Sequence, residues 1–172
     1  MKRLTILRHA KSSWDDASLD DFNRPLNARG WKDARRVGKD LKRRGVHFDL
    51  CVASTAARVR ETLDGLVEGY GKLDFEIRFE PRIYEASLAT LLEVVRGLED
   101  SSNAPLLVGH NPGLQQLVLE LARDDAKGLR KRASIKFPTA ALALIEMHVD
   151  RWANVRSGSS QIAKLIFPKD LD

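Results

Sequence analysis

The sequence predicts an α/β fold, a three-layer sandwich in which a mainly parallel central sheet lies between helices on both faces. Up to residue 123, short apolar runs alternate with amphipathic stretches of helical periodicity, and such alternation is typical of parallel sheets. The length of 172 residues is enough for one well-packed core. We therefore expect a single domain over residues 1–172, with ligands bound at the carboxyl ends of the strands.

The first half of the chain contains three apolar runs, and a helical pattern follows each of them. The run at residues 4–7 ends at a polar pair, as buried strands do, and a helix is predicted from residue 28 to 44, before Gly45. A second strand at 48–53 leads into a helix that reaches Tyr70. A third strand, at 75–79, alternates apolar and polar residues and precedes a helix at 88–98.

The second half contains one more strand and helix, and then two late strands. The run at residues 106–108 stops before Asn111 and Pro112, which suit the N-cap and the first position of a fourth helix. The apolar stretches 140–149 and 162–167 have no long helical pattern between them. They are predicted to be strands that form a hairpin.

Composition argues against a disordered, a disulfide-rich or a membrane-spanning protein. The chain is 43% hydrophobic and 31% charged, which is ordinary globular usage. Its one cysteine, Cys51, has no partner within the chain and predicts a packed thiol in a reducing compartment. No apolar run approaches the ~20 residues that span a bilayer, so we expect a cytoplasmic protein with no membrane partner.

A net charge of +5 favours anionic partners. The basic clusters at residues 35–36, 42–44 and 130–132 are interpreted as solvated helix faces and loop charge. No aromatic residues are interleaved with them, so we predict no nucleic-acid partner.

Three of the predicted strands end at residues that suit phosphate chemistry. Arg8 and His9 follow the first strand, Ser54 and Arg58 the second, and His110 the fourth. A phosphoryl group carries charge on three oxygens, and guanidinium groups together with a helix N-terminus match that arrangement. The sequence therefore predicts a phosphate pocket. We expect Ser54 to cap the second helix, and Asn111 either to cap the fourth helix or to donate to phosphate, so neither is assigned as catalytic.

These residues lie in segments that resemble the histidine phosphatase superfamily. The family motif at the end of the first strand is Arg-His-Gly or Arg-His-Ala, and residues 8–10 are Arg-His-Ala. Residues 24–30, 54–62 and 108–112 are similar to further family segments, in the same order and at comparable spacing. The short length, the Arg-His-Ala-Lys-Ser opening and the Gly-His-Asn-Pro segment are most similar to the phosphohistidine phosphatase (SixA-type) branch. The resemblance implies a phosphoglycerate mutase-like fold.

The resemblance also implies roles for individual residues. His9 would be the nucleophile that forms a phosphoenzyme, Arg8 and Arg58 would clamp the phosphoryl oxygens, and His110 would add a hydrogen bond or a positive charge. These four residues are the predicted catalytic and phosphate-binding set. Many members place a general acid after the third strand, and Glu85 is the candidate at that point. No cofactor and no metal site are expected, because arginines would supply the positive charge.

The leading functional hypothesis is a metal-independent phosphatase that acts on phosphohistidine of a phosphorelay or phosphotransfer protein. Imidazole is a better leaving group than a sugar alkoxide, so the absence of a firmly assigned general acid favours phosphoramidate substrates. The short chain leaves little room for a segment that covers the pocket, which favours an open site. Two alternatives remain: a small-molecule phosphomonoesterase with the same pocket, and a non-catalytic phosphate-binding module. All four pocket residues are present, which disfavours the last of these.

Overall fold

A computed structural model describes residues 1–171 and contains one six-stranded sheet with helices on both faces. The strands are Lys2–Arg8 (β1), Leu50–Ala53 (β2), Ile77–Phe79 (β3), Pro105–Gly109 (β4), Leu142–Met147 (β5) and Gln161–Ile166 (β6). The helices are Ala28–Arg43 (α1), Ala57–Tyr70 (α2), Leu88–Arg96 (α3), Gly113–Leu121 (α4) and Leu129–Ile135 (α5). The predicted α/β fold is therefore confirmed.

The sheet has the order β3-β2-β4-β1-β5-β6 and is mostly parallel. Strand β4 pairs in parallel with both β1 and β2, and β2 pairs in parallel with β3. Strand β5 is antiparallel to β1 and to β6, so the predicted late hairpin is present. As a result, β2, β4 and β1 are neighbours, and their carboxyl ends lie at the same edge of the sheet.

Apolar side chains of the sheet form two cores, one against each helical layer. Leu4 and Ile6 of β1 pack on the side of α3, α4 and α5, whereas Leu7 packs on the side of α1 and α2. This alternation follows from the two-residue repeat of a strand. Within residues 1–171, no helix is both long enough and apolar enough to cross a membrane.

Close packing between α1 and α2 fixes the position of α2 on the sheet. A Cβ atom at Gly69 would lie 2.1 Å from the carbonyl oxygen of Arg35, and one at Gly38 would lie 2.2 Å from that of Leu66. Only glycine permits this approach of two helix backbones. The packing matters for the site because Arg58 lies in the first turn of α2.

Several element boundaries differ from the predicted ones, and one helix, α5, was not predicted. Strand β2 begins at Leu50 instead of residue 48, and α4 begins at Gly113 with Pro112 as its N-cap. The side chain of Asn111 nevertheless accepts a hydrogen bond from the N–H of Gln115 (3.2 Å). Helix α5 was not predicted, because only Ala133 of its seven residues is buried and no apolar repeat marks it.

Candidate active site

The carboxyl ends of β1, β2 and β4 bring the predicted residues to one place. The backbone N–H of His9 donates to the carbonyl oxygen of Gly109 (3.0 Å), and that of Ser54 donates to Val108 (3.0 Å). These bonds continue the parallel pairing one residue beyond each strand. His110 follows the central strand of the three and therefore lies between the other two strand ends.

A cavity of about 310 Å³ opens at this edge of the sheet. Its lining residues are Arg8, His9, Lys11, Ser12, Trp14, Arg24, Arg58, His110, Asn111 and Thr139. Arg8, His9, Arg58 and His110 thus share one cavity, although they are far apart along the chain. Four lining side chains carry positive charge, and the lining residues within 1–171 include no carboxylate. Such a cavity favours a small anion.

His9 lies at the buried end of the cavity and is 7% exposed. Its Nδ1 is 2.7 Å from the carbonyl oxygen of Ala10. Because a carbonyl oxygen can only accept a hydrogen bond, Nδ1 carries the proton and Nε2 carries the lone pair. The Nε of Arg58 donates to that Nε2 at 3.4 Å. Burial lowers the pKa of His9 to about 3, and the charges of His110, Arg58 and Arg8 act in the same direction. His9 is therefore neutral at physiological pH.

His110 lies beside His9, with the two ring centroids 5.2 Å apart. Its Nε2 is 2.7 Å from the Oγ of Ser54, and that Oγ already accepts the N–H of Ala56 (3.3 Å). When the Ser54 hydroxyl donates its proton to Nε2, the proton of His110 lies on Nδ1. Burial, together with the charge of Arg58, lowers the pKa of His110 to about 4. Of the two contributions expected from His110, the geometry favours hydrogen-bond donation.

The guanidinium of Arg58 is held by Asp21, in a short 3-10 turn between β1 and α1. Nη1 of Arg58 donates to the carbonyl oxygen of Asp21 (2.7 Å), and Nη2 donates to its carboxylate (3.0 Å). The hydroxyl of Tyr84 donates to the same carboxylate (2.5 Å). The hydrogen bond from Tyr84, followed by those from Arg58 and Arg24, holds the pKa of the Asp21 carboxyl well below its usual value. Asp21 is therefore ionised and orients Arg58 toward His9.

Arg8 enters the cavity from the end of β1. Its Nη1 donates to the carbonyl oxygen of Phe137 (3.1 Å), and the side-chain amide of Asn111 donates to the same oxygen (2.8 Å). The Nε of Arg8 is buried and has no hydrogen-bond partner among residues 1–171, and the same is true of Nδ1 of His110. Buried donors without partners are uncommon in folded proteins. Both atoms belong to residues that line the cavity.

One face of α2 forms hydrogen bonds with the backbone of the segment that precedes α1. Arg58, Glu61 and Thr62 lie three and four residues apart, a spacing that places side chains on the same face of a helix. The carboxylate of Glu61 accepts the N–H of Leu26 (2.6 Å), and the hydroxyl oxygen of Thr62 accepts the N–H of Ala10 (2.9 Å). The helix therefore holds both ends of the segment that connects β1 to α1.

Comparison with protein families gives a match over residues 4–93, to the family model described as histidine phosphatase superfamily, branch 1. The match covers more than half of the chain. The chain belongs to the histidine phosphatase superfamily.

One relative of the chain is an uncharacterised protein of Mycobacterium tuberculosis, with 32% sequence identity over 166 residues. The alignment covers 95% of this chain and 100% of that protein. A solved structure from Agrobacterium tumefaciens, assigned as the phosphohistidine phosphatase SixA, is 26% identical. It superposes with a TM-score of 0.79 over 97% of this chain and 98% of its own. The structure assigned as SixA from Nakamurella multipartitia is 24% identical, with a TM-score of 0.82 over 97% and 96% of the two chains. The chain therefore has a SixA-like fold.

Glu85, the predicted general acid, does not line the cavity that contains His9. Its side chain is exposed, and its backbone has φ of 54°. The neighbouring Tyr84 points to the site instead, since its ring lies 5.4 Å from that of His110. The role of Glu85 as an acid stays a prediction. His47 and His148 are exposed and lie outside the cavity lining.

The prediction that Ser54 caps α2 is wrong. The N-cap residue is Ala56, which has no side-chain cap, and Ser54 is fully buried beneath His110. The preference of a residue for a cap position is a local property of the sequence. The hydrogen bond between Ser54 and His110 instead joins residues that follow two different strands, β2 and β4. Sequence reasoning therefore found the residue but assigned it the wrong partner.

Replacing Ser54 with alanine is expected to lower kcat about tenfold, because the hydroxyl that forms a hydrogen bond with Nε2 of His110 and orients its ring is lost. The kcat would be measured beside the thermal unfolding midpoint, with Thr55→Ala as the control for a neighbouring hydroxyl. An unchanged kcat in the folded Ser54→Ala protein would contradict this role.

Stability is expected to fall on mild acidification, because two histidines are buried in their neutral forms. Their pKa values are about 3 for His9 and about 4 for His110 in the folded protein, against 6.5 for the ordinary side chain. Below pH 6.5 the unfolded chain therefore binds protons that the folded chain does not, so stability decreases as the pH falls. Between pH 7 and pH 5 each histidine contributes a loss of roughly 2 kcal/mol. Urea unfolding at the two pH values measures the loss, and His110→Gln should remove about half of it.

Several residues of the site were not singled out from the sequence. Trp14 and Lys11 line the cavity, and Asp21 holds Arg58. Arg24 is part of a motif that the family resemblance includes, so a signal for it was present. Asp21 and Trp14 lie in a polar segment without periodicity, and only the fold brings them to the site.

Proposed function

We propose that the protein is a phosphatase that transfers a phosphoryl group to Nε2 of His9 and then to water. The observation that supports it most is the pair of buried nitrogen atoms without hydrogen-bond partners among residues 1–171, Nε of Arg8 and Nδ1 of His110, in residues that line the cavity with His9. A bound phosphoryl group supplies acceptor oxygens for the Nε–H of Arg8 and, with the His110 proton on Nδ1, for that nitrogen too.

The proposed reaction has two displacements at phosphorus. In the first, the lone pair of His9 Nε2 forms the P–N bond while the bond from phosphorus to the leaving atom breaks, and the leaving group takes that electron pair. In the second, water attacks phosphorus and loses a proton to the solvent, the P–N bond breaks, and its electron pair returns to His9. Arg8 and Arg58 offset the charge on the phosphoryl oxygens in both transition states, and His110 donates one hydrogen bond.

The proposed substrate is phosphohistidine on a phosphorelay or phosphotransfer protein. The residues that line the cavity within 1–171 include no carboxylic acid that could protonate an alkoxide. An imidazole that leaves from phosphohistidine needs such an acid less than an alkoxide does. The similarity to a structure assigned as SixA points to the same class of substrate.

The test is phosphate release from a phosphohistidine-bearing protein, from p-nitrophenyl phosphate and from sugar phosphates, each with EDTA present. We expect the phosphohistidine protein to have the highest kcat/KM, with no loss on chelation. Preference for the sugar phosphates would favour a small-molecule phosphomonoesterase and a role for Glu85. Full loss of activity with EDTA would contradict the proposed use of arginines in place of a metal.

A further inference from the structure

Trp14 has an unusual environment for the largest side chain type. It is 77% exposed, whereas Trp152 is fully buried. Large aromatic side chains are normally buried over most of their surface. Trp14 also lines the cavity that contains His9. Its exposure therefore occurs at the rim of the site.

The position of Trp14 is fixed by the groups beneath and beside it. The guanidinium carbon of Arg24 lies 3.5 Å from the centre of the Trp14 ring, which is a close cation–π contact. Arg24 is itself buried, and its Nη1 donates to the Oγ of Ser12 (2.8 Å). The backbone N–H of Ser13 donates to the carbonyl oxygen of Pro25 (2.8 Å). One face of the indole is therefore occupied by Arg24, and the rest of the ring is open to solvent.

In-line transfer to His9 determines where the leaving group lies. The nucleophile and the leaving atom are on opposite sides of phosphorus. His9 is at the buried end of the cavity, so the group that carries the phosphoryl extends toward the opening, where Lys11 and Trp14 are exposed. A preorganised aromatic surface at that place can stack on a planar ring.

We propose that Trp14 is a specificity-determining residue of this phosphatase, which packs against the planar ring that carries the phosphoryl group and so selects phosphohistidine over substrates without a ring. The inference rests on the proposed function and deepens it, because it assigns recognition of the leaving group to a residue outside the phosphate-binding set. Arg24 is the positioning residue that holds Trp14.

The test compares two phosphoramidates that contain the same P–N bond, free N-phosphohistidine and phosphoramidate, which has no ring. Trp14→Ala should raise the KM for phosphohistidine roughly three- to tenfold, the range of one aromatic stacking contact. Its kcat/KM for phosphoramidate should stay within about twofold of the wild-type value, and Trp14→Phe should recover most of the KM for phosphohistidine.

Phe79 offers a matched control. It is also a partly exposed aromatic ring with an arginine against it, since the guanidinium carbon of Arg60 is 3.9 Å from its centre, but it lies outside the cavity lining. Phe79→Ala should leave the KM and kcat/KM for both substrates unchanged. Equal losses on both substrates in Trp14→Ala, or no loss on either, would overturn the assignment while leaving the phosphatase function intact. If the wild type hydrolysed neither compound, this inference would be overturned, whereas the proposed function is tested separately with the phosphohistidine-bearing protein.

Discussion

Replacing His9 with alanine will lower kcat by at least about 10⁴-fold, because the atom that forms the bond to phosphorus is removed. Binding of inorganic phosphate should remain measurable in this variant. Arg8, Arg58 and His110 keep their own supports, which are Phe137, Asp21 and Ser54. The substitution thus separates the chemical step from the recognition of the anion.

Steady-state kinetics and calorimetric titration of phosphate measure the two effects of the His9 substitution. His148→Ala is the control, because that histidine is exposed and lies outside the cavity. Rapid acid-free denaturation during turnover of a ³²P-labelled substrate should also leave label on the wild type and none on His9→Ala. Retained turnover in the variant would overturn the nucleophile assignment.

Replacing Arg58 with lysine will lower kcat/KM about 10²-fold even though the charge is kept. The Nε of the guanidinium donates to His9, and Nη1 and Nη2 donate to Asp21, so all three nitrogen atoms form hydrogen bonds in different directions. A lysine ammonium is a single point donor and cannot maintain this fork. We expect a lower kcat together with a higher KM, since both the orientation of the phosphoryl group and its binding depend on Arg58.

Arg60→Lys is the control for the Arg58 substitution. Arg60 lies in the same helix, is exposed, and its Nε donates to the carbonyl oxygen of Thr55 (3.0 Å). It should retain wild-type kinetics. A kcat/KM of Arg58→Lys within a few-fold of the wild type would show that charge alone suffices at this position.

The strands that carry the site could be predicted from the sequence because each is a short apolar run that stops at a polar residue. The runs that precede His9, Ser54 and His110 are β1, β2 and β4 in the structure. Parallel strands deliver such residues to one edge of the sheet, so their proximity follows from the fold class. Their chemical roles are still predictions.

The remainder of the site depends on contacts that no local pattern records. The bond from Ser54 to His110 and the bonds from Arg58 to Asp21 each join segments that are distant in the chain. The stacking of Trp14 on Arg24 arises in an irregular segment, where side-chain periodicity has no meaning. Local propensity cannot predict interactions of this kind, because they exist only after the segments have been brought together.

The order of strands in the sheet has a consequence for biosynthesis. Strand β1 leaves the ribosome before the other five strands of the sheet, yet both of its neighbours, β4 and β5, come much later, from Pro105 and Leu142 onward. The nascent chain therefore carries its first apolar strand unpaired until most of the protein has been translated. His9 is synthesised well before Gly109 and Ala140, with which its backbone forms hydrogen bonds, so a nascent chain that stops short of them has no assembled cavity around His9.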